Sequence, residues 1–188
     1  MNSDREVINN ILRGNKDAFR ILMERYQKLV CYVVFKMIKN PQEQQDISQE
    51  VFLKIYRNLN SFKFNSKLST WIAQIAYNTC IDELNRRKID IDDNVRIEDD
   101  FSINGYQSTQ SAQKCVEYDN TFGILIKEID KLPARFGVVL SLFHLQEMSY
   151  HEIAAVMNLP EGTVKSYLFR GRKMLKKGLE SKYQREEL

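Results

Sequence analysis

Apolar side chains recur at three- and four-residue spacing from Phe19 through Leu22, Met23, Tyr26, Leu29, Val30, Val33, Val34 and Met37. That is the stripe of an amphipathic helix, which Pro41 is expected to end. The same period predicts a second helix over 46–58, with Ile47, Val51, Phe52, Ile55 and Leu59 on its core side. A third fits 69–87, with Ile72, Ala73, Ala76, Tyr77, Cys80, Ile81 and Leu84 turned inward. Further along, 121–131, 133–143, 149–157 and 162–183 read as helices. No segment alternates strictly between apolar and polar positions, although 136–145 is apolar enough to suit a strand as well. The expected fold class is all-α.

Between these two sets of helices, residues 89–119 sustain no apolar period. Asp90, Asp92, Asp93, Glu98, Asp99 and Asp100 are followed there by Ser, Gln and Asn, the pattern of an acidic flexible linker. Two small helical domains are therefore expected, over 1–88 and 120–188. The formal charge of +3 conceals this organisation: the three stretches carry 15 basic and 9 acidic, 2 and 8, and 11 and 8 side chains, or +6, −6 and +3.

Composition removes several classes of function. The longest apolar run, Leu29 to Phe35, is far short of the roughly 20 residues of a membrane span. The start, Met1-Asn2-Ser3-Asp4-Arg5-Glu6, lacks the basic and apolar regions of a secretory signal, so a cytoplasmic protein without membrane insertion is expected. Cys31, Cys80 and Cys115 are odd in number and never form a C-x-x-C pair. His151-Glu152 begins like a zinc-protease motif, but Ala155 stands where the second histidine would be. No glycine lies between Asn15 and Asn104, and no phosphate loop or nucleophile elbow occurs. No catalytic residue, metal or cofactor is expected.

Two constellations remain. From Met148 to Val164 the chain has the pattern of two helices joined by a tight turn: Ser149 with Glu152 can form a capping box, Ala154 is small, and Asn158 suits a left-handed turn. On the following helix Val164, Leu168, Gly171 and Leu175 cluster on one face, and Ser166, Phe169, Arg170, Lys173 and Lys177 on the other. Between Thr163 and Lys177 there are six basic residues and no acidic one. Such a run alone suits a solvated face; joined to a helix-turn-helix it points to DNA in the major groove. In the first domain, Trp71, Gln74, Ile75, Asn78, Thr79, Asp82, Asn85 and Arg86 share the outer face of the third helix. Phe62, Lys63, Phe64 and Lys67 precede it, interleaving aromatics with positive charge as single-strand binding requires. The alternative is that these aromatics pack against a neighbouring helix. On the second helix Asp46, Gln49, Glu50, Leu53 and Arg57 lie outward, a leucine among carboxylates that suits a basic protein partner or a solvated face.

These motifs together resemble the bacterial RNA polymerase sigma factors of the sigma-70 family, in its extracytoplasmic-function (ECF) group. Residues 45–53, Gln-Asp-Ile-Ser-Gln-Glu-Val-Phe-Leu, match region 2.2; 69–78, Ser-Thr-Trp-Ile-Ala-Gln-Ile-Ala-Tyr-Asn, with Asp82 and Arg86, match regions 2.3 and 2.4; and 129–133, 148–154 and 161–172 match region 4. The resemblance implies that region 2, within 1–88, binds core RNA polymerase through Asp46, Gln49, Glu50 and Leu53. It further implies that Phe62, Phe64, Lys67, Trp71, Asn78, Asp82 and Arg86 read and capture the opened minus-10 element. Region 4, within 120–188, would read the minus-35 element through Lys165, Ser166, Tyr167, Phe169, Arg170 and Lys173. An anti-sigma factor is a further partner of the family, and the acidic linker would thread near the polymerase active site. Tyr167 stands where the family usually has Arg, Gln45 where an acidic residue is common, and Asn158 where Gly is. The competing reading is a stand-alone helix-turn-helix regulator that binds duplex operators as a dimer.

Overall fold

The computed structural model describes residues 3–91 and 120–186, and every regular element among them is helical. The first set comprises α1 (Asp4–Leu12), α2 (Lys16–Met37), α3 (Pro41–Asn58) and α4 (Leu68–Ile91), with a single 3-10 turn at Leu59–Ser61. The second comprises α5 (Asn120–Asp130), α6 (Ala134–His144), α7 (Tyr150–Met157) and α8 (Glu161–Glu186). Residues 92–119, which hold most of the expected acidic linker, lie outside the described residues, and α4 runs three residues into its start.

The helix α1 is not anticipated by the apolar period of the chain. It is short but well specified: the Ser3 hydroxyl accepts from the Glu6 amide, the Glu6 carboxylate accepts from the Ser3 amide, and Val7, Ile8 and Ile11 are buried. Its first turn is tied to α2, where Tyr26 Oη donates to Asp4 at 2.8 Å and Arg25 pairs with the same carboxylate. Pro41 proves to open a helix rather than end one. It sits in the first turn of α3, where its missing N–H costs nothing, while α2 has already stopped at Met37 with Ile38 extended. Asn40 caps α3, and buried Gln44 donates to the Ile38 carbonyl at 2.7 Å, fixing the corner. The ambiguous stretch 136–145 is helical as far as His144, with Val138, Val139, Leu140 and Leu142 all within the core.

The two sets of helices share one hydrophobic core. At one contact α6 lies on α2, where Gly137 leaves room for the Lys36 stem; a Cβ there would stand 2.9 Å from Lys36 Cδ. The Lys36 ammonium is buried and pairs with Asp130 from the end of α5, their side chains being 7% and 19% exposed. At the other contact α7 lies along the start of α4. Gln74 donates to the Ala155 carbonyl at 3.2 Å, Lys67 pairs with Glu152 at 3.0 Å, and buried Thr70 faces the same carboxylate.

Candidate nucleic-acid and polymerase interfaces

The turn between α7 and α8 forms as its sequence requires. Ser149 Oγ accepts from the Glu152 amide while the Glu152 carboxylate accepts from the Ser149 amide. Asn158 closes α7 at φ 52° and ψ 49°, a left-handed position its short polar side chain tolerates. Val164 and Leu168 then enter the core, and Gly171 lets α8 approach α6 so closely that a Cβ would lie 3.1 Å from Leu140. This fixes the rotation of α8 about its axis, and with it the side that faces water.

That side carries Lys165, Phe169, Arg170 and Lys173, all exposed, with Ser166 half-buried beside them. Phe169 is 71% exposed, an unusual position for a phenylalanine and one that suits contact with a thymine methyl or a base edge. Tyr167 lies elsewhere. Its ring stands edge-on to Phe136 at 5.3 Å, and its hydroxyl accepts from Arg135 at 3.4 Å, so it is a half-buried support between α8 and α6. Three of the six basic residues are likewise engaged, Lys176 pairing with Glu180 one turn on at 3.6 Å. The Arg172 guanidinium lies over Phe143 and donates to His144, and the Lys165 ammonium lies over the Tyr150 ring at 5.7 Å. Burial and the Arg172 charge both lower the His144 pKa, which keeps the imidazole neutral to accept that bond.

In the first set, Asn78, Asp82 and Arg86 follow one another on the exposed face of α4, and Arg86 pairs with Glu83. Thr79 and Ile75, outward on a helical wheel, are covered. Thr79 is buried, donating to the Ile75 carbonyl and accepting from Lys54 of α3. Before α4, Phe62 is only 8% exposed and belongs to the core; Trp71 and Phe64 stand against it at ring separations of 5.2 and 4.8 Å. Phe62 thus supports the other two rings from below. Trp71 is half-buried, and Phe64 is 40% exposed with φ at +58°, a conformation disfavoured for a bulky side chain.

On α3, Asp46, Gln49 and Leu53 are exposed, Leu53 by 53%, while Glu50 is half-buried and paired with Lys54. The structure adds Tyr56 to this face. It is 49% exposed and set edge-on against Phe19 of α2 at 4.9 Å, so the apolar contact is wider than one leucine. Reading α3 alone could not reveal it, because Phe19 comes from another helix.

Among the described residues no group of His, Cys, Asp and Glu side chains is arranged to hold a metal, and no helix is long and apolar enough to cross a membrane. Burial raises the Cys80 thiol to about 12, which leaves it protonated and unreactive.

Comparison with known proteins agrees with this geometry. Sigma-70 region 2 matches residues 22–89, from within α2 to near the end of α4, and Sigma-70 region 4 matches 122–175, covering the helix-turn-helix. The chain is 32% identical to the ECF RNA polymerase sigma factor SigW of Bacillus subtilis, over 92% of this chain and 94% of that one. It is 33% identical to the RNA polymerase sigma-H factor of Pseudomonas aeruginosa, over 94% of each, and 31% identical to the sigma-E factor of Escherichia coli K12, over 92% of each. The fold resembles that of CnrH, solved with the cytosolic domain of CnrY, at a TM-score of 0.62 and 19% identity over 96% of this chain and 99% of that one. It also resembles RpoE of Bartonella quintana, solved with the anti-sigma factor NepR, at 0.60 and 22% identity over 86% and 97%. At 31–33% identity over more than nine-tenths of the chain, these relatives place it in a family: the chain belongs to the ECF RNA polymerase sigma factors.

Proposed function

We propose that this sigma factor divides promoter recognition between the outer faces of α4 and α8 and that it must separate its two regions to use both. Region 2, within 1–88, would bind core RNA polymerase through Asp46, Gln49, Glu50 and Leu53, with Tyr56 widening the apolar centre. Phe64, Lys67, Trp71, Asn78, Asp82 and Arg86 would receive the minus-10 strand, with Phe62 beneath them. Region 4, within 120–188, would read the minus-35 element through Lys165, Ser166, Phe169, Arg170 and Lys173, with Tyr167 holding α8 at its angle. Besides core polymerase and promoter DNA, an anti-sigma protein is the third partner of this reading.

The observation that carries the separation is the position of α7 between the two DNA-facing helices. Lys67 reaches Glu152 and Lys165 reaches Tyr150, two residues apart on the same short helix. The two promoter elements lie about 25 base pairs apart, or about 85 Å. Two surfaces that begin on one turn of α7 cannot occupy both. The 28 residues from 92 to 119 are long enough in covalent terms, since a fully extended chain of that length spans about 95 Å.

The test is transcription in vitro with purified core polymerase on a genomic promoter library. Start sites preceded by two shared elements are expected. Tight, specific binding to duplex DNA without polymerase would instead favour the stand-alone regulator. Leu53→Asp should abolish co-purification with core polymerase while far-UV circular dichroism stays unchanged, because it puts a charge at the centre of the apolar contact. Retained binding would remove this face from the interface.

A further inference from the structure

We infer that Arg5 is a positioning residue for Phe64, and that α1 is thereby part of the surface that receives the minus-10 strand. The inference rests on the reading of the 62–67 loop given above. It concerns a helix that lies before the matched sigma-70 region 2, which begins at residue 22.

Phe64 has a conformation that needs a cause. A non-glycine residue at φ +58° is uncommon, and for a bulky one it persists only where its surroundings hold it. Two contacts do so. The Phe62 ring lies 4.8 Å away, and the Arg5 guanidinium carbon lies 4.6 Å from the Phe64 ring centroid, within cation–π range. Phe62 is itself in the core, so the fold fixes one contact.

The backbone behind the other contact is fixed as well, although the Arg5 side chain is exposed. Its neighbours are tied down on both sides. Asp4 binds Arg25 and Tyr26 of α2, the Ser3–Glu6 capping box closes the first turn, and Val7 and Ile8 are 2% and 1% exposed. The α1 backbone is therefore a rigid mount, and Arg5 is the side chain it extends to the loop. Phe64 remains 40% exposed, which leaves part of its ring for an unstacked base. An aromatic held in one orientation loses less freedom when a base stacks on it. Arg5 would act through that ring rather than by reading DNA itself.

A double-mutant cycle separates these roles. Holoenzyme is assembled from core polymerase and the full chain, parent or variant. Its affinity is measured by fluorescence anisotropy for a fork-junction DNA carrying a single-stranded minus-10 element, built from a promoter recovered in the transcription library. A cation–π contact at an exposed site predicts a loss of about two- to fivefold for Arg5→Ala and partial recovery in Arg5→Lys. Phe64→Ala should lose at least as much, and adding Arg5→Ala to it should cause no further loss. Thermal unfolding and core-polymerase binding should match the parent, since Arg5 is outside the core. Full affinity in Arg5→Ala, or additive losses in the double variant, would overturn the inference while leaving the loop reading intact. An inert Phe64→Ala would overturn both.

Discussion

The two helices proposed to face DNA, α4 and α8, differ in how much of that surface is free. On α8 the polar face is open: Phe169 is 71% exposed, and Arg170 and Lys173 are exposed beside it. On α4 the beginning of the corresponding surface is already in use. Lys67 and Thr70 face Glu152, Gln74 bonds the α7 backbone, and Trp71 rests on Phe62. The difference follows from the elements each helix packs against. The helix α8 is covered on one side by its own helix-turn-helix partner and by α6, whereas α4 is covered on one side by region 2 and touched on another by region 4. Under the proposed reading, the helix for duplex DNA is ready in advance, whereas the surface for a single strand is partly occupied by the protein's own carboxylate and backbone.

The largest test of that contrast is at the buried pair that joins the two regions. Asp130→Ala leaves the Lys36 ammonium 7% exposed and without its counter-charge, and breaking a buried pair in this way costs about 3–5 kcal/mol. Burial already lowers the Lys36 pKa, opposed by the attraction of Asp130, so removing the aspartate leaves only the unfavourable influence. The variant should open, with a larger radius of gyration by small-angle scattering. Combining it with Lys36→Met, which keeps the apolar stem under Gly137, should restore the parent value. An unchanged radius in Asp130→Ala would mean that this pair does not hold the regions together.

A smaller effect is expected on the open face. Arg170→Ala should reduce promoter-directed transcription by about 1–3 kcal/mol of recognition, the worth of one base-reading side chain. Because α8 is exposed whether or not the regions are separated, the loss should be the same in the Asp130→Ala background. Transcription equal to the parent would remove Arg170 from the site, and a loss that vanishes in the opened variant would break the contrast between the helices.

Much of this arrangement was legible in the chain, and what was hidden has a common cause. The inward faces of α3 and α8 follow from period alone, and the Ser149–Glu152 cap and the left-handed Asn158 follow from local chemistry. Ser3-Asp4-Arg5-Glu6 before Val7 and Ile8 is the same kind of capping signal as Ser149 to Glu152, yet α1 is too short for periodicity to reveal it. Pro41 misleads as the end of α2 because proline both follows helices and opens them. The errors at the site concern what a second helix covers. A helical wheel turns Thr79 outward, but Lys54 of α3 meets it; Tyr167 lies just off the core stripe, but Phe136 of α6 covers it. Phe62 and Phe64 look alike as neighbours in an aromatic, basic loop, and only the packing of Trp71 and α1 makes one core and the other surface. The contact of α4 with α7 depends on residues about 80 apart in sequence, for which neither period nor motif carries a signal.

The smallest effect lies at that contact and is the one sensitive to pH. Burial pushes the Glu152 pKa up, but the Ser149 amide, the Lys67 ammonium and the Ser149 hydroxyl together pull it further down, from 4.5 to about 2. A carboxylate depressed by folding stabilises the folded arrangement fully above its unfolded value, and that contribution is lost as pH falls from 4.5 towards 2. The contact of α7 with Lys67 is therefore insensitive to pH near neutrality and weakens only in acid. Glu152→Gln keeps an acceptor for the capping box but removes the charge facing Lys67. With the Lys67 side chain 69% exposed, the pair is worth at most about 1 kcal/mol. The free chain of this variant should bind a single-stranded minus-10 oligonucleotide more tightly, by less than about fivefold. Its separation of regions in acid, followed by scattering, should lose only the share of the pH dependence below 4.5 that Lys67 contributes, because the Ser149 bonds belong to the α7 cap and remain when the regions part. If binding is unchanged while Lys67→Ala still weakens it, Glu152 does not compete with DNA for that ammonium, and the start of α4 is as free as the face of α8.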